Sequence, residues 1–143
     1  MERNVSLSIL LIIITFIVCL ILNFPASLMG DPATIINVVV TFVYISVWIL
    51  VMSIVSRNKN HVVMKFFLSF WLMNLFFAVL TVLVNLEILN AFWATPFVAL
   101  LITQWYGIRL FANDFLIIAI IISSISLLFA FAALLSLRKE KSI

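Results

Sequence analysis

Apolar residues run along this chain in long unbroken stretches separated by short polar clusters. A helix that crosses a membrane needs about 20 mostly apolar residues. Four stretches qualify with little or no internal charge, at residues 5–22, 32–56, 61–86 and 114–137. They lack the period-two alternation of a membrane barrel strand. Polar residues mark their starts. Asp31 before Pro32 offers an N-cap acceptor followed by a proline at the first helical position. Asn60 is placed to cap the third stretch, and Asn113 or Asp114 the fourth. Pro25 is expected to end the first helix just after Asn23. That first stretch follows Arg3 as a signal peptide would. Its apolar run is longer than a usual h-region, however, and Pro25-Ala26-Ser27 is a poor cleavage site, so it reads as a retained helix.

Small and polar side chains recur inside the apolar runs at helical spacing. The first span carries Ser8, Thr15, Cys19 and Asn23, and the second Asn37, Thr41, Tyr44 and Trp48. The third carries Asn74, Ala78, Thr81 and Asn85, and the fourth Ala119, Ser123, Ser126, Ala130 and Ala133. Eleven residues at 100° each fall within about 20° of whole turns, so each set holds to one face. Lipid tails are as apolar as leucine, and small or polar stripes rather than apolarity pair helices in a bilayer. The expected fold is therefore an all-α integral membrane protein, a four-helix transmembrane bundle with these stripes inside. Thr15, Tyr44, Asn74, Ser123 and Ser126 fall near mid-span and form a candidate midplane polar layer. Within it Asn74 is expected to bond to a partner, with Tyr44 favoured.

Composition strengthens this reading. The 143 residues are 67% hydrophobic and 9% charged, against about 25% charged in an ordinary soluble domain. That excludes a soluble globule, a disordered chain and a disulfide scaffold, and leaves one transmembrane domain over residues 1–143. The placement of charge then sets the orientation. Seven of the eight cations lie on one side of a four-span arrangement: Arg3, the Arg57, Lys59 and Lys65 cluster, and Arg138, Lys139 and Lys141. The positive-inside rule puts both termini in the cytoplasm. The membrane expected is a plasma membrane, and the richness in Ile, Asn and Phe points to a bacterial cytoplasmic one.

Residues 91–108 complicate the count, because AFWATPFVALLITQWYGI is apolar enough for a fifth span. A fifth span would move the basic tail outside. Pro96 breaks a helix early, Gly107 weakens its end, and Trp93, Trp105 and Tyr106 favour the headgroup region. The favoured reading is an extra interfacial or shallow re-entrant helix between spans three and four, which protein must cover where it enters the membrane. Asn23, Asn37, Asn85, Glu87, Arg109, Asn113 and Asp114 then gather toward the outer end as a candidate polar site.

No catalytic chemistry is evident. His61 is the single histidine and lacks the ligand set of a metal site, so no metal or other cofactor is expected. Cys19 is alone in an apolar span, where a thiol is inert. The C-terminal tail is too short to recognise nucleic acid and reads as a topology anchor touching anionic headgroups. The expected function is non-enzymatic: association with the lipid bilayer and with other membrane subunits or a second copy, as an accessory subunit, assembly factor or immunity-type protein. Phe66, Phe67, Phe70, Phe76 and Phe77 cover more than one face of the third span and suit such contacts. The alternative is a small oligomeric transporter or channel with an outward polar vestibule. An intramembrane lipid enzyme would need Glu87, Asp114 and Arg109 to converge. The four-span arrangement predicts that a cysteine placed at Ser142 reacts with a membrane-impermeant thiol reagent only after cells are opened. Labelling on intact cells would overturn it.

Overall fold

The computed structural model describes the backbone of residues 2–139 and the side chains of residues 4–139. The Arg3 side chain, Lys141 and Ser142, all invoked for sidedness, lie outside the described residues. The described chain is all-helical. Four of its helices are long and apolar enough to cross a membrane. They are α1 (Glu2–Met29), α2 (Ile35–Arg57), α3 (His61–Asn85) and α5 (Phe115–Lys139). Between α3 and α5 lies a broken segment made of a 3-10 turn at Phe92–Ala94, the short helix α4 (Thr95–Ile102) and a 3-10 stretch at Thr103–Leu110.

Two helix boundaries differ from the sequence expectation. Pro25 does not end α1; it lies inside the helix. A proline removes only one rung of the helical ladder, and the real stop is Gly30. Its φ of 70° lets the Asp31 amide close back on the Ala26 carbonyl at 3.0 Å, the left-handed terminus that glycine favours. Asp31 is thereby committed to the end of α1 and does not cap α2. Thr34 takes the N-cap position, and the Asn37 carboxamide oxygen accepts from both the Thr34 amide and its hydroxyl at 2.8 Å. The other caps are as expected. Asn60 accepts from the Val63 amide at 3.0 Å, and Asp114 from the Leu116 amide at 2.8 Å.

The long helices pair as α1 with α2 and α3 with α5. Both pairs are antiparallel. Phe16 meets Tyr44, Cys19 bonds to the Val40 carbonyl, and Asn23 bonds to Asn37. Trp71 stacks on Phe129 at 4.2 Å. On either side of that stack, Met64 shares a cavity with Ser136, and Thr81 shares one with Ile118. The segment between α3 and α5 therefore returns to the end of the bundle it left, and the fifth-span alternative fails on this register. We call that end distal. The opposite, proximal end carries the start of α1, the turn between α2 and α3, and the end of α5.

The stripes read from sequence face inward except at Asn85, which is exposed, and at half-buried Thr81 and Ser123. Ser8, Thr15, Cys19 and Asn23 are all buried, as are Asn37, Thr41, Tyr44 and Trp48. Leucine, isoleucine and phenylalanine side chains cover the outside of the long helices; Ile21, Phe42, Phe66 and Leu128 are all exposed. Such a surface suits lipid. At the proximal end the hydroxyls of Ser56 and Ser136 lie 2.8 Å apart, close enough for cysteines there to approach a 2.05 Å disulfide with small adjustment. A Ser56→Cys/Ser136→Cys variant on a Cys19→Ser background should therefore oxidise to one intramolecular disulfide. Intact mass under non-reducing conditions reads this out, and failure to cross-link in a folded sample would contradict the register.

Candidate functional site

The chemistry at the distal end starts from the backbone. The 3-10 stretch Thr103–Leu110 closes i→i+3 bonds of poorer geometry than those of an α-helix, and it lies among apolar helices. Side chains from α1 and α2 add further bonds to this backbone. Asn23 donates to the carbonyls of Thr103 and Gln104, each at 3.2 Å. Its own oxygen accepts from Asn37 at 3.0 Å. The Thr41 hydroxyl donates to the Gln104 carbonyl at 2.8 Å and accepts from the Gly107 amide at 3.1 Å. Asn23 and Gln104 are fully buried. Gly107 is required by close approach: a Cβ there would sit 2.3 Å from the Asn37 carbonyl oxygen.

Arg109 forms a second group nearer the rim. Its Nη1 donates to the Gly30 carbonyl at 3.2 Å, to the Asp31 carbonyl at 3.4 Å, and to the Tyr106 hydroxyl. Tyr106 in turn donates to the Asp31 carbonyl at 2.5 Å. The guanidinium carbon lies 5.0 Å from the Phe115 ring centroid, within cation–π range. These contacts tie the broken segment to the end of α1.

The seven outer residues read from sequence thus separate. Asn23 and Asn37 come together, buried and bonded. Arg109 and Asn113 share a recess of about 230 Å³ with Gly30 and Pro32. Asn85 is exposed and donates back to its own helix at the Thr81 carbonyl. Glu87 is exposed as well, at φ 58° in the turn that ends α3. There the Ile88 amide reaches the Leu83 carbonyl at 3.1 Å. Glu87 occupies the left-handed position that glycine usually takes, which gives it a structural task. It lines a different recess, with Asn90 and Thr95. Asp114 is the exposed cap of α5. Asn37 is buried in the bracket while Asn85 and Glu87 sit at the exposed end of α3, so the three do not line one path.

Thr103, Gln104 and Gly107 were not singled out as site residues. The sequence signal was present, since Thr103-Gln104 interrupts the apolar run of residues 91–108.

The midplane layer differs from expectation in its bonding. Tyr44, Asn74 and Ser126 are fully buried, Thr15 is buried, and half-buried Ser123 bonds to its own helix. Yet the Tyr44 hydroxyl, both polar atoms of Asn74 and the Ser126 hydroxyl have no hydrogen-bond partner among the described residues. The expected Asn74–Tyr44 bond is not made, and Trp105 packs against both Tyr44 of α2 and Trp71 of α3. Its ring lies 5.7 Å from Tyr44 and 6.1 Å from Trp71. Trp105, read from sequence as a headgroup residue, is fully buried, whereas Trp93 is exposed.

Compared with protein-family models, curated proteins and solved structures, the chain matches none. The site must therefore be tested on its own residues. Replacing Asn23 with alanine removes the Asn37 amide's partner and one bond from each of two carbonyls. It should lower unfolding stability in detergent by about 1–2 kcal/mol, on the scale of intramembrane polar contacts. Asn85→Ala, at an exposed helix end, should stay within about 0.5 kcal/mol. Equal effects of the two would remove the bracket's structural role.

Proposed function

We propose that this chain is a non-enzymatic, multi-pass protein of a bacterial cytoplasmic membrane that works by association with other membrane proteins. The roles that fit are an accessory subunit, an assembly factor or an immunity-type protein. Both termini and the proximal turn face the cytoplasm, where the positive-inside rule places Arg57, Lys59, Lys65, Arg138 and Lys139. The distal end faces outward. The broken segment is a shallow re-entrant collar whose backbone reaches the level of Asn37 and Val38, judged from the close approach of Gly107.

The observation that carries this reading is a groove on the flank of the bundle. It measures about 310 Å³ and is lined by Ile12, Ile13, Phe16, Ile17, Trp48, Phe66 and Phe70. Phe66 and Ile13 are exposed beside it. Large aromatic anchors around a recess are what a partner helix can use. The outer asparagines, by contrast, are bonded within the fold or dispersed on the rim, which leaves little polar lining for a solute path.

The test is purification in mild detergent, comparing the wild-type chain with Phe66→Gln. A membrane protein that co-purifies in fixed ratio with the wild type and is lost from the variant supports the proposal. A chain that always purifies alone, and moves a solute when placed in liposomes, would sink it and favour the transporter reading.

A further inference from the structure

One cavity at the distal end joins an apolar interior to a guanidinium. It measures about 210 Å³ and lies between the end of α1, α4, the 3-10 stretch and α5, with Val98, Ile102, Ile118 and Ile122 in its lining. Two threonine hydroxyls border it as well, and both are bonded within the chain: Thr81 donates to the Phe77 carbonyl and Thr103 to the Ala99 carbonyl. Fully buried Trp105, which packs between Tyr44 and Trp71, lines its mid-span end. An apolar cavity of about 150 Å³ stays dry and takes benzene. The interior here suits hydrocarbon on the same ground.

Arg109 lines the cavity at the rim. Gly30, Tyr106 and Phe115, which touch its guanidinium, line the same cavity. The charge itself therefore stands there, and not only the aliphatic stem. All of its hydrogen bonds leave from Nη1, to the Gly30 and Asp31 carbonyls and the Tyr106 hydroxyl. The Tyr106 and Phe115 ring centroids lie 5.5 and 5.0 Å from the guanidinium carbon. These contacts hold the group in place. They leave Nε and Nη2 without a hydrogen bond, and no carboxylate among the described residues pairs with them. Two N–H groups on one edge of a guanidinium form the fork that a carboxylate meets with two parallel bonds.

We infer that the distal cavity binds a long-chain carboxylate, a free fatty acid. Its head lies on the Nε–Nη2 edge of Arg109. About eight carbons of its chain run toward Ile122 and Trp105, a length scaled from the cavity that takes benzene. One negative charge meets one positive charge, and a flat head meets a flat fork. The volume admits part of one chain, which a fatty acid fills without leaving a second chain outside. This rests on the geometry around Arg109 and not on the association proposed above.

The experiment is native mass spectrometry of the full chain in neutral detergent. It is titrated with palmitate, with hexadecanol, and with phosphatidylglycerol that carries palmitoyl chains. One palmitate should be retained about tenfold better than hexadecanol, the scale of a charge-assisted hydrogen bond, and better than the phospholipid. Arg109→Gln should lower palmitate to the level of hexadecanol. Arg57→Gln, an exposed cation at the proximal end, should leave the preference intact. Ala99→Phe places a ring in the cavity and should weaken palmitate and hexadecanol alike. The comparison of palmitate with hexadecanol on the wild-type chain stands even if a variant fails to fold. Equal retention of those two overturns the inference. So does a preference that survives Arg109→Gln or is lost equally with Arg57→Gln. Tighter retention of phosphatidylglycerol than of palmitate overturns it, as does displacement of palmitate by equimolar acetate, which has no chain.

Discussion

A backbone that leaves the α-helix inside an apolar bundle must find partners for its carbonyls and amides, because hydrocarbon supplies none. The stretch Thr103–Leu110 imposes that condition here, and much of the distal half follows from it. Asn23 must reach Thr103 and Gln104, so α1 has to remain helical and in place around Pro25. Thr41 must face the same strand of backbone, both giving to Gln104 and receiving from Gly107. Residue 107 must lack a side chain, since the α2 backbone lies where a Cβ would be. Asn37 completes the set by holding Asn23 on one side and the start of α2 on the other. Each of these polar side chains thus bonds to a particular backbone or side-chain group of this segment or of its neighbour.

The same segment explains how the two helix pairs are joined. Neither glycine lies in a long helix; the small residues that face inward are those where α3 meets α5, Ala78, Ala119, Ser126, Ala130 and Ala133, while α2 and α3 approach closely at few points. Aromatic rings fill the resulting space. Trp48 of α2 stacks on Phe70 at 4.8 Å and meets Trp71 edge-on at 5.0 Å. Trp105 descends from the broken segment between Tyr44 and Trp71, and Trp71 passes the contact on to Phe129 of α5. Edge and stacked pairs of this type add roughly 0.5–1.5 kcal/mol each beyond area burial. Trp105 is therefore both the floor of the distal segment and a wedge between α2 and α3.

These two features also explain which parts of the structure were legible in the sequence. The four long helices followed from run length, and their inward faces from the spacing of residues such as Asn37, Thr41, Tyr44 and Trp48. Those signals are local and periodic. The ends of α1 and α2 were misplaced because Pro25 and Asp31-Pro32 are locally strong signals. They were outweighed by Gly30 on one side and the Asn37–Thr34 contacts on the other. Asn23 and Asn37 were recognised as a polar pair at one end, but their partners were not. The groups they serve are backbone atoms of a distant segment, and a sequence does not display which carbonyls a remote side chain will reach. Trp105 was misread for a related reason. A tryptophan near a membrane surface usually sits in the headgroups, and only the fold of residues 103–110 turns it inward.

The polar residues of the distal end therefore divide into two kinds with different consequences. Asn23, Asn37, Thr41 and Gln104 are turned inward and bonded to the fold, so their presence argues for a specified backbone and not for a solute path. Asp31, Arg109, Asn113 and Asp114 stand on the rim, where charge meets an apolar cavity. The proximal half has no counterpart to the broken segment. There, α1 and α3 are bridged through Phe16 and Phe70, whose rings meet edge-on at 6.1 Å, and the flank beside them stays open as the apolar groove. Unfilled volume therefore lies both at the distal end, around the broken segment, and on the apolar flank.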